Sequence, residues 1–202
     1  FFVRIEDTDQ ERYVPGSVRK LFESLAWLGI DVDEGPDHVA LQSMKTDEDW
    51  AGARSHGGDF GPYVQSQRLP LYKQWAEWLV EQGHAYRANE TPEELERMRA
   101  EAQSRKETFR FREEMRLRAD IDPTQPHVIR LRIPRSGATT FHDLIKGDVS
   151  FDNSTVDDQV LLKADGFPTY HLAVVVDDHF QGVTHVIRGD DWLPSAPKHV
   201  LL

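Results

Sequence analysis

Glu6 closes a short apolar run, Phe1 to Ile5, and Arg188 closes another, Val183 to Ile187. Both runs read as buried strands. In open α/β sheets, ligands sit in the crevice beyond the carboxyl ends of the strands. One acid and one guanidinium placed there can grip the two ends of an acidic amino acid. Tyr170 can add a hydroxyl donor and a ring wall to such a pocket. The chain has no cysteine, so disulfides and thiolate zinc sites are excluded. Its nine histidines show no zinc-ligand spacing. Asp177, Asp178 and His179 invite a metal reading, but acid clusters at helix ends are usually solvated, and no protein-held metal is expected.

Several elements must position these residues. Residues 1–6 read as a strand. Residues 15–28 read as a helix with Val18, Leu21, Phe22, Leu25 and Leu28 at helical spacing and Gly29 as its stop. Asp31 to Gly61 has little periodicity and reads as a long loop or insertion. A second helix is expected from Pro70 to Gln82, with Tyr72, Trp75, Ala76 and Leu79 on one face. Thr91, Pro92 and Glu94 announce a third, over 91–104, through a capping box. Residues 105–126 carry no readable period.

The period then shortens. Ile129, Leu131 and Ile133 alternate with Arg130 and Arg132, which reads as a strand with one buried and one polar face. Phe141 to Ile145, Asp148 to Phe151 and Val160 to Lys163 continue as short strands, with a turn at Gly147-Asp148. Thr169 can cap a helix that carries Tyr170, Leu172, Ala173 and Val176. Trp192 to Leu202 reads as the start of another helix. The pattern predicts a small α+β module set into an α/β domain.

Composition sets outer limits. The 202 residues are 39% hydrophobic and 29% charged, an ordinary globular balance. No apolar run approaches the length of a membrane span, and no signal-peptide pattern is present. A cytoplasmic location and no membrane partner are the expectation. The net charge is −11, from 24 basic and 35 acidic residues, which argues against a dedicated nucleic-acid-binding domain. A local patch can override that total, and Arg97 to Arg118 is rich in basic residues.

Many segments in order carry a resemblance. They are Arg4-Ile5-Glu6-Asp7-Thr8-Asp9 with Arg12, Asp33-Glu34-Gly35-Pro36, Gly61-Pro62-Tyr63-Val64-Gln65-Ser66-Gln67-Arg68 with Tyr72, and Gly83-His84-Ala85-Tyr86. Leu161-Leu162-Lys163-Ala164-Asp165-Gly166, Pro168-Thr169-Tyr170-His171-Leu172-Ala173, Val176-Asp177-Asp178-His179 and Thr184-His185-Val186-Ile187-Arg188-Gly189 follow. Together they cover nearly the whole chain, which resembles the catalytic region of glutamyl-tRNA synthetases, class I aminoacyl-tRNA synthetases.

The resemblance implies a Rossmann-type nucleotide-binding fold interrupted by a small α+β connective insertion. Residues 1–86 and 164–202 are then two parts of the catalytic domain, and 87–163 is the insertion that cradles the tRNA acceptor end. The implied reaction joins L-glutamate to tRNA(Glu) through a glutamyl-adenylate. ATP enters with Mg2+ as a substrate complex, and no protein-bound zinc is expected. HIGH- and KMSKS-type motifs would lie upstream of Phe1 and downstream of Leu202. Neither stands in this chain, which reads as a fragment with negligible adenylation activity alone, of a parent expected to be monomeric. Catalytic residues proper stay unassigned for that reason. Asp37 to His56 looks longer than the family's usual passage and has no functional reading.

Residue roles follow from the resemblance, each beside a plainer one. Glu6 meets the substrate ammonium, or it forms a strand-end salt bridge with Arg4 or Arg12. Arg188 receives the side-chain carboxylate of glutamate in two parallel hydrogen bonds and refuses an amide, because donors would face donors. Its plainer reading is an exposed strand-end arginine. Tyr170 donates to the same carboxylate, or is a core aromatic. Val174, one turn on, stands where some members have a polar residue. Asp191 holds the ATP ribose, or caps the last helix. Thr8 and Asp9 border the tRNA acceptor end, or satisfy a turn.

Two other functions fit part of the pattern. A glutamyl-queuosine tRNA synthetase usually carries a cysteine-rich zinc site in the insertion, which this chain lacks, and Thr91 to Met98 looks more like the full synthetase. A non-catalytic tRNA-binding or regulatory relative would be expected to have lost Glu6, Tyr170 and Arg188, which are all present.

Overall fold

The computed structural model describes residues 1–9, 12, 14–36, 55–56, 58–118 and 121–202. Two compact units divide the chain, Phe1–Leu71 and Tyr72–Leu202.

In the first unit, the extended segment at the N-terminus pairs with two later segments. Phe2 bridges Glu34 and Ile5 bridges Val64, both in parallel. The Val3 amide donates to the Glu34 carbonyl at 2.9 Å, and the Ile5 amide to the Tyr63 carbonyl at 2.8 Å. Helix α1 (Ser17–Trp27) connects the first two of these segments, giving a β-α-β order. Its face is amphipathic as the spacing predicts: Val18 and Phe22 pack with Ile5 against buried Val64. Leu21 and Leu28 stay exposed. Two-residue strands β1 (Gly35–Pro36) and β2 (Ser55–His56) pair antiparallel. The rest of the expected 37–56 insertion lies outside the described residues.

Helix α2 (Leu69–Glu81) buries Tyr72, Ala76 and Leu79, three of the four residues assigned to its face. Gly83 ends it at φ +77°, where the Gly83 amide donates to Val80 and the His84 amide to Leu79. A residue with a Cβ is strained at that φ. Strand β3 (Ala85–Ala88) follows, then helix α3 (Pro92–Ser104). The capping box is present: the Thr91 hydroxyl accepts from the Glu94 amide, and the Glu94 carboxylate from the Thr91 amide.

Strand β4 (Val128–Leu131) pairs antiparallel with β3 on one side and with β7 (Val160–Leu162) on the other. Strands β5 (Ala138–Asp143) and β6 (Gly147–Asp152) form a separate hairpin. The expected strand at 141–145 is therefore shifted: Leu144 and Ile145 form the turn and are 80% and 94% exposed. The α/β class with an antiparallel α+β middle holds.

The unreadable stretch after α3 covers a sheet face. Phe111 packs with Tyr86 and Ala88, flanked by Leu95, Met98, Phe109 and Val128. Ile129, Leu131 and Ile133 are buried as expected, but so is Arg130, whose guanidinium lies 4.1 Å from the Phe111 ring centroid. The polar face of β4 is thus half occupied by a cation–π contact. The arginines of this region are held internally. Arg110 donates to the Thr155 carbonyl at 2.9 Å and Arg112 to that of Ser154 at 2.8 Å. Arg118 pairs with Glu94 at 2.8 Å.

Asp158 anchors this layer. It is fully buried and accepts from the Tyr86 hydroxyl at 2.9 Å, from Arg135 at 3.0 Å and from Arg112 at 3.2 Å. The amides of Glu113 and Ile133 complete its shell at 3.1 and 3.2 Å. Burial and the neighbouring carboxylate push the Tyr86 phenol far above its usual range.

Three expectations need correction. Val183 to Ile187 is not a strand: it joins no ladder among the described residues, and Ile187 is 94% exposed. An apolar run becomes a strand only when another backbone supplies its hydrogen bonds. Asp191 does not cap the last helix. It stands inside a 3-10 turn, Asp190–Ser195, whose N-cap is Gly189, and the α-helix that follows, α5 (Ala196–Leu201), has Ser195 at its N-cap. Asp177 is not solvated. It is fully buried in helix α4 (Tyr170–Phe180) and bonded by the Tyr72 hydroxyl.

Candidate functional site

The start of α4 positions the first site residues. Gly166, at φ +86°, turns the chain after β7, and Leu162 bridges Pro168 in the return. Thr169 has N-cap backbone geometry, but its hydroxyl donates to the Val160 carbonyl at 2.6 Å and caps nothing. Its amide donates to the Leu161 carbonyl at 2.8 Å. These two bonds tie the first turn of α4 to β7, so Tyr170 and His171 emerge from a fixed point. Val174, one turn on, is buried.

Arg188 and Trp192 come from the segment that leads into α5, and His199 from α5 itself. The Tyr170 and Trp192 rings have centroids 4.8 Å apart. The Arg188 guanidinium carbon lies 5.5 Å from the Tyr170 ring centroid. Arg188 Nη1 donates to His199 Nδ1 at 2.8 Å, and His199 Nε2 lies 2.9 Å from His171 Nδ1. Tyr170 and Arg188 are therefore brought together as expected. Lys198 donates to Gln159 at 3.0 Å, and Lys146 of the β5–β6 turn pairs with Asp190 at 2.8 Å. Asp191 is exposed, with its carboxylate folded back over Gly189.

Burial holds the histidines neutral. Desolvation, then the charges of Arg188, His171 and Lys198, push His199 down to about 3. Desolvation, then Lys198 and Arg188, push His171 down to about 4. Burial also lowers Lys198, against the opposing pull of Asp157.

The remaining expected residues lie in the first unit. Glu6 is exposed and bonded by Arg4 at 3.0 Å, which is its salt-bridge reading. Thr8 is buried, and Asp9 pairs with Arg12. Asp7, given no role from sequence, accepts the Ser66 amide at 2.8 Å and ties the end of the first strand to its neighbour. Tyr63 donates to Glu34, and burial with that bond pushes its phenol up to about 12.

The sequence reading singled out neither His171 nor His199, the two imidazoles beside Arg188. His171 sits inside the quoted Pro-Thr-Tyr-His segment, but its partner is 28 residues away and shares no spacing rule with it. Only the adjacency of His171 to Tyr170 signalled it. Among the described residues, no group of three or more His, Asp or Glu is arranged to hold a metal ion, and no helix is long and apolar enough to cross a membrane.

The family model for tRNA synthetases class I (E and Q), catalytic domain, matches residues 1–202. The chain belongs to this family. It is 50% identical over 202 residues to a glutamate–tRNA ligase of Dehalococcoides mccartyi, covering all of this chain and 38% of that protein. It is 49% identical over 207 residues to a glutamate–tRNA ligase of Thermus thermophilus, covering all of this chain and 39% of that one. A crystal structure of a glutamate tRNA ligase from Elizabethkingia meningosepticum, in complex with its amino acid, superposes with a TM-score of 0.84 at 39% identity. It too is covered over 39% of its length, and this chain over 100%. This class I synthetase chain has the Rossmann-type fold of its solved relatives, and it spans about two fifths of the relatives it matches.

Proposed function

We propose that this chain is part of a glutamate–tRNA ligase that attaches L-glutamate to tRNA(Glu) with ATP. Arg188 stacked beside Tyr170, in a chain half identical to glutamate–tRNA ligases along its whole length, is the observation that carries the reading. The α-carboxylate of glutamate attacks the α-phosphate of ATP, pyrophosphate leaves, and a ribose hydroxyl of the terminal adenosine of tRNA then takes the glutamyl group. Neither step needs a covalent enzyme intermediate. The protein contributes positioning and charge complementarity.

In this reading Arg188 and Tyr170 receive the side-chain carboxylate and Glu6 the ammonium. The Arg4 bond to Glu6 leaves a second carboxylate oxygen for that contact. Asp191 serves the ATP ribose, and Thr8 and Asp9 border the tRNA acceptor end. Mg2+ arrives with ATP, largely hydrated. Residues 1–86 and 164–202 form the catalytic domain, and 87–163 is the insertion facing the acceptor end.

Glutamate-dependent ATP–pyrophosphate exchange, run on the full-length protein with tRNA, tests this. Arg188→Ala should lower kcat/KM for glutamate by about a hundredfold, the loss of hydrogen bonds to a charged group. Lys73→Ala should leave it near wild type. Equal effects of the two substitutions would refute the pocket, and absence of exchange in the full-length wild type would refute the activity.

A further inference from the structure

We propose that His199 and His171 form a neutral, one-way hydrogen-bond relay that fixes the Arg188 guanidinium in the orientation that receives the substrate's side-chain carboxylate. The inference rests on the reading of Arg188 given above and extends it to two residues with no assigned role.

Proton positions follow from donor and acceptor counts. A guanidinium only donates, so His199 Nδ1, 2.8 Å from Arg188 Nη1, must present its lone pair. The ring then carries its single proton on Nε2. That proton points at His171 Nδ1, 2.9 Å away, which must also be a lone pair. His171 therefore keeps its own proton on Nε2. The whole chain of bonds runs in one direction, Arg188 to His199 to His171. A second proton on His199 would set an N–H against the guanidinium. A proton on His171 Nδ1 would set it against the His199 N–H. Either event breaks the relay.

The surroundings favour that single state. Both imidazoles are half-buried. The charged groups facing them are Arg188 and Lys198, both cations, which oppose a further positive charge. Asp157 is the acid nearest to them in influence, and it acts on Lys198. The Tyr170 ring, 5.9 Å from that of His199, closes one side. The imidazole thus gives Arg188 an anchor without neutralising it. A carboxylate in the same place would compete with the substrate for the guanidinium. An imidazole lone pair holds one N–H and leaves the other donors and the full charge for the ligand.

The test compares His199→Ala, His199→Asn and Arg188→Ala in the full-length enzyme, with KM for glutamate, KM for ATP and kcat read by pyrophosphate exchange. Asn offers an oxygen near the place of Nδ1, so it restores the anchor for Arg188 but not the bond to His171. His199→Ala should raise the KM for glutamate roughly tenfold or more, as expected when one bond orienting a charged group is lost. The KM for ATP should change less than about twofold, because the relay touches only the amino-acid side. His199→Asn should recover most of the loss. In the wild type, imidazole 15N shifts at neutral pH should report Nε2–H neutral tautomers for both histidines.

A normal glutamate KM in His199→Ala beside a raised one in Arg188→Ala overturns the relay and leaves the pocket standing. An unchanged glutamate KM in Arg188→Ala overturns the pocket, and the relay's role with it. An Nδ1–H tautomer or an imidazolium at His199 overturns the relay whatever the kinetics, and this readout needs no variant to fold.

Discussion

The hydroxyl of Tyr72 lies 3.0 and 2.9 Å from the two carboxylate oxygens of Asp177, 105 residues later in the chain, with both residues fully buried. The bond joins α2 to α4, the helix whose first turn carries Tyr170. Tyr72→Phe keeps the ring and removes the donor to a buried acid. It should cost about 2 kcal/mol, the price of a hydrogen bond to a charged group in the interior. Urea denaturation of wild type and variant measures it. A change below about 0.5 kcal/mol would show that other donors already satisfy the carboxylate.

Asp158→Ala should be more damaging. It removes the acceptor shared by Tyr86, Arg112, Arg135 and two backbone amides. Breaking one partner out of a buried ionic cluster costs about 3–5 kcal/mol. Arg135→Ala should cost less, because the arginine is 35% exposed and Asp158 keeps Tyr86, Arg112 and two backbone amides. Thermal denaturation ranks the two, and the reverse order would contradict Asp158 as the centre.

The histidine pair predicts how stability varies with pH. His171 and His199 titrate near 4 and 3 in the folded protein, below the ordinary 6.5. Between those limits the unfolded chain binds more protons than the folded one. Stability from this source is fully present above about pH 6.5 and is lost as pH falls through the window towards 4 and then 3. Chemical denaturation from pH 7.5 to 5 should show a decline that is shallower in His199→Asn. Equal slopes would mean that other groups set the acid limit.

At the start of α3, Thr91→Ala removes the hydroxyl that accepts the Glu94 amide at 3.2 Å. Loss of such a cap costs about 1 kcal/mol. The carboxylate of Glu94 is held down to about 2, first by its bonds to Arg118 and then by the Thr91 amide. Its contribution is present above the usual glutamate range and disappears as pH falls towards 2. A Glu94→Gln variant should therefore match wild type more closely at pH 2 than at pH 7, as judged by circular dichroism melts.

Local signals explain what could be read in advance. The capping box around Thr91, the stripe on α2 and the alternation of Ile129, Leu131 and Ile133 are each dictated by a few neighbouring residues. The failures share the opposite property. Ile145 and Ile187 look like strand residues, yet each is 94% exposed, because burial depends on a partner that the run itself does not specify. Arg130 looks solvent-facing, but Phe111 from an aperiodic segment stacks on it. Tyr170 and Arg188 were visible as candidates because they stand in recognisable motifs. The imidazoles that organise Arg188 were not, since a pairing across 28 residues leaves no pattern in either segment.

The parallel bridges of Phe2 with Glu34 and of Ile5 with Val64 bear on how this part of the chain is born. The bridge at Ile5 cannot form until Val64 has left the ribosome. At typical rates of about 5–20 residues per second, that wait lasts roughly 3–12 seconds. During it Phe1, Phe2, Val3 and Ile5 are apolar and unprotected. Nascent-chain chaperones should engage this segment early and release it once residues 63–65 emerge.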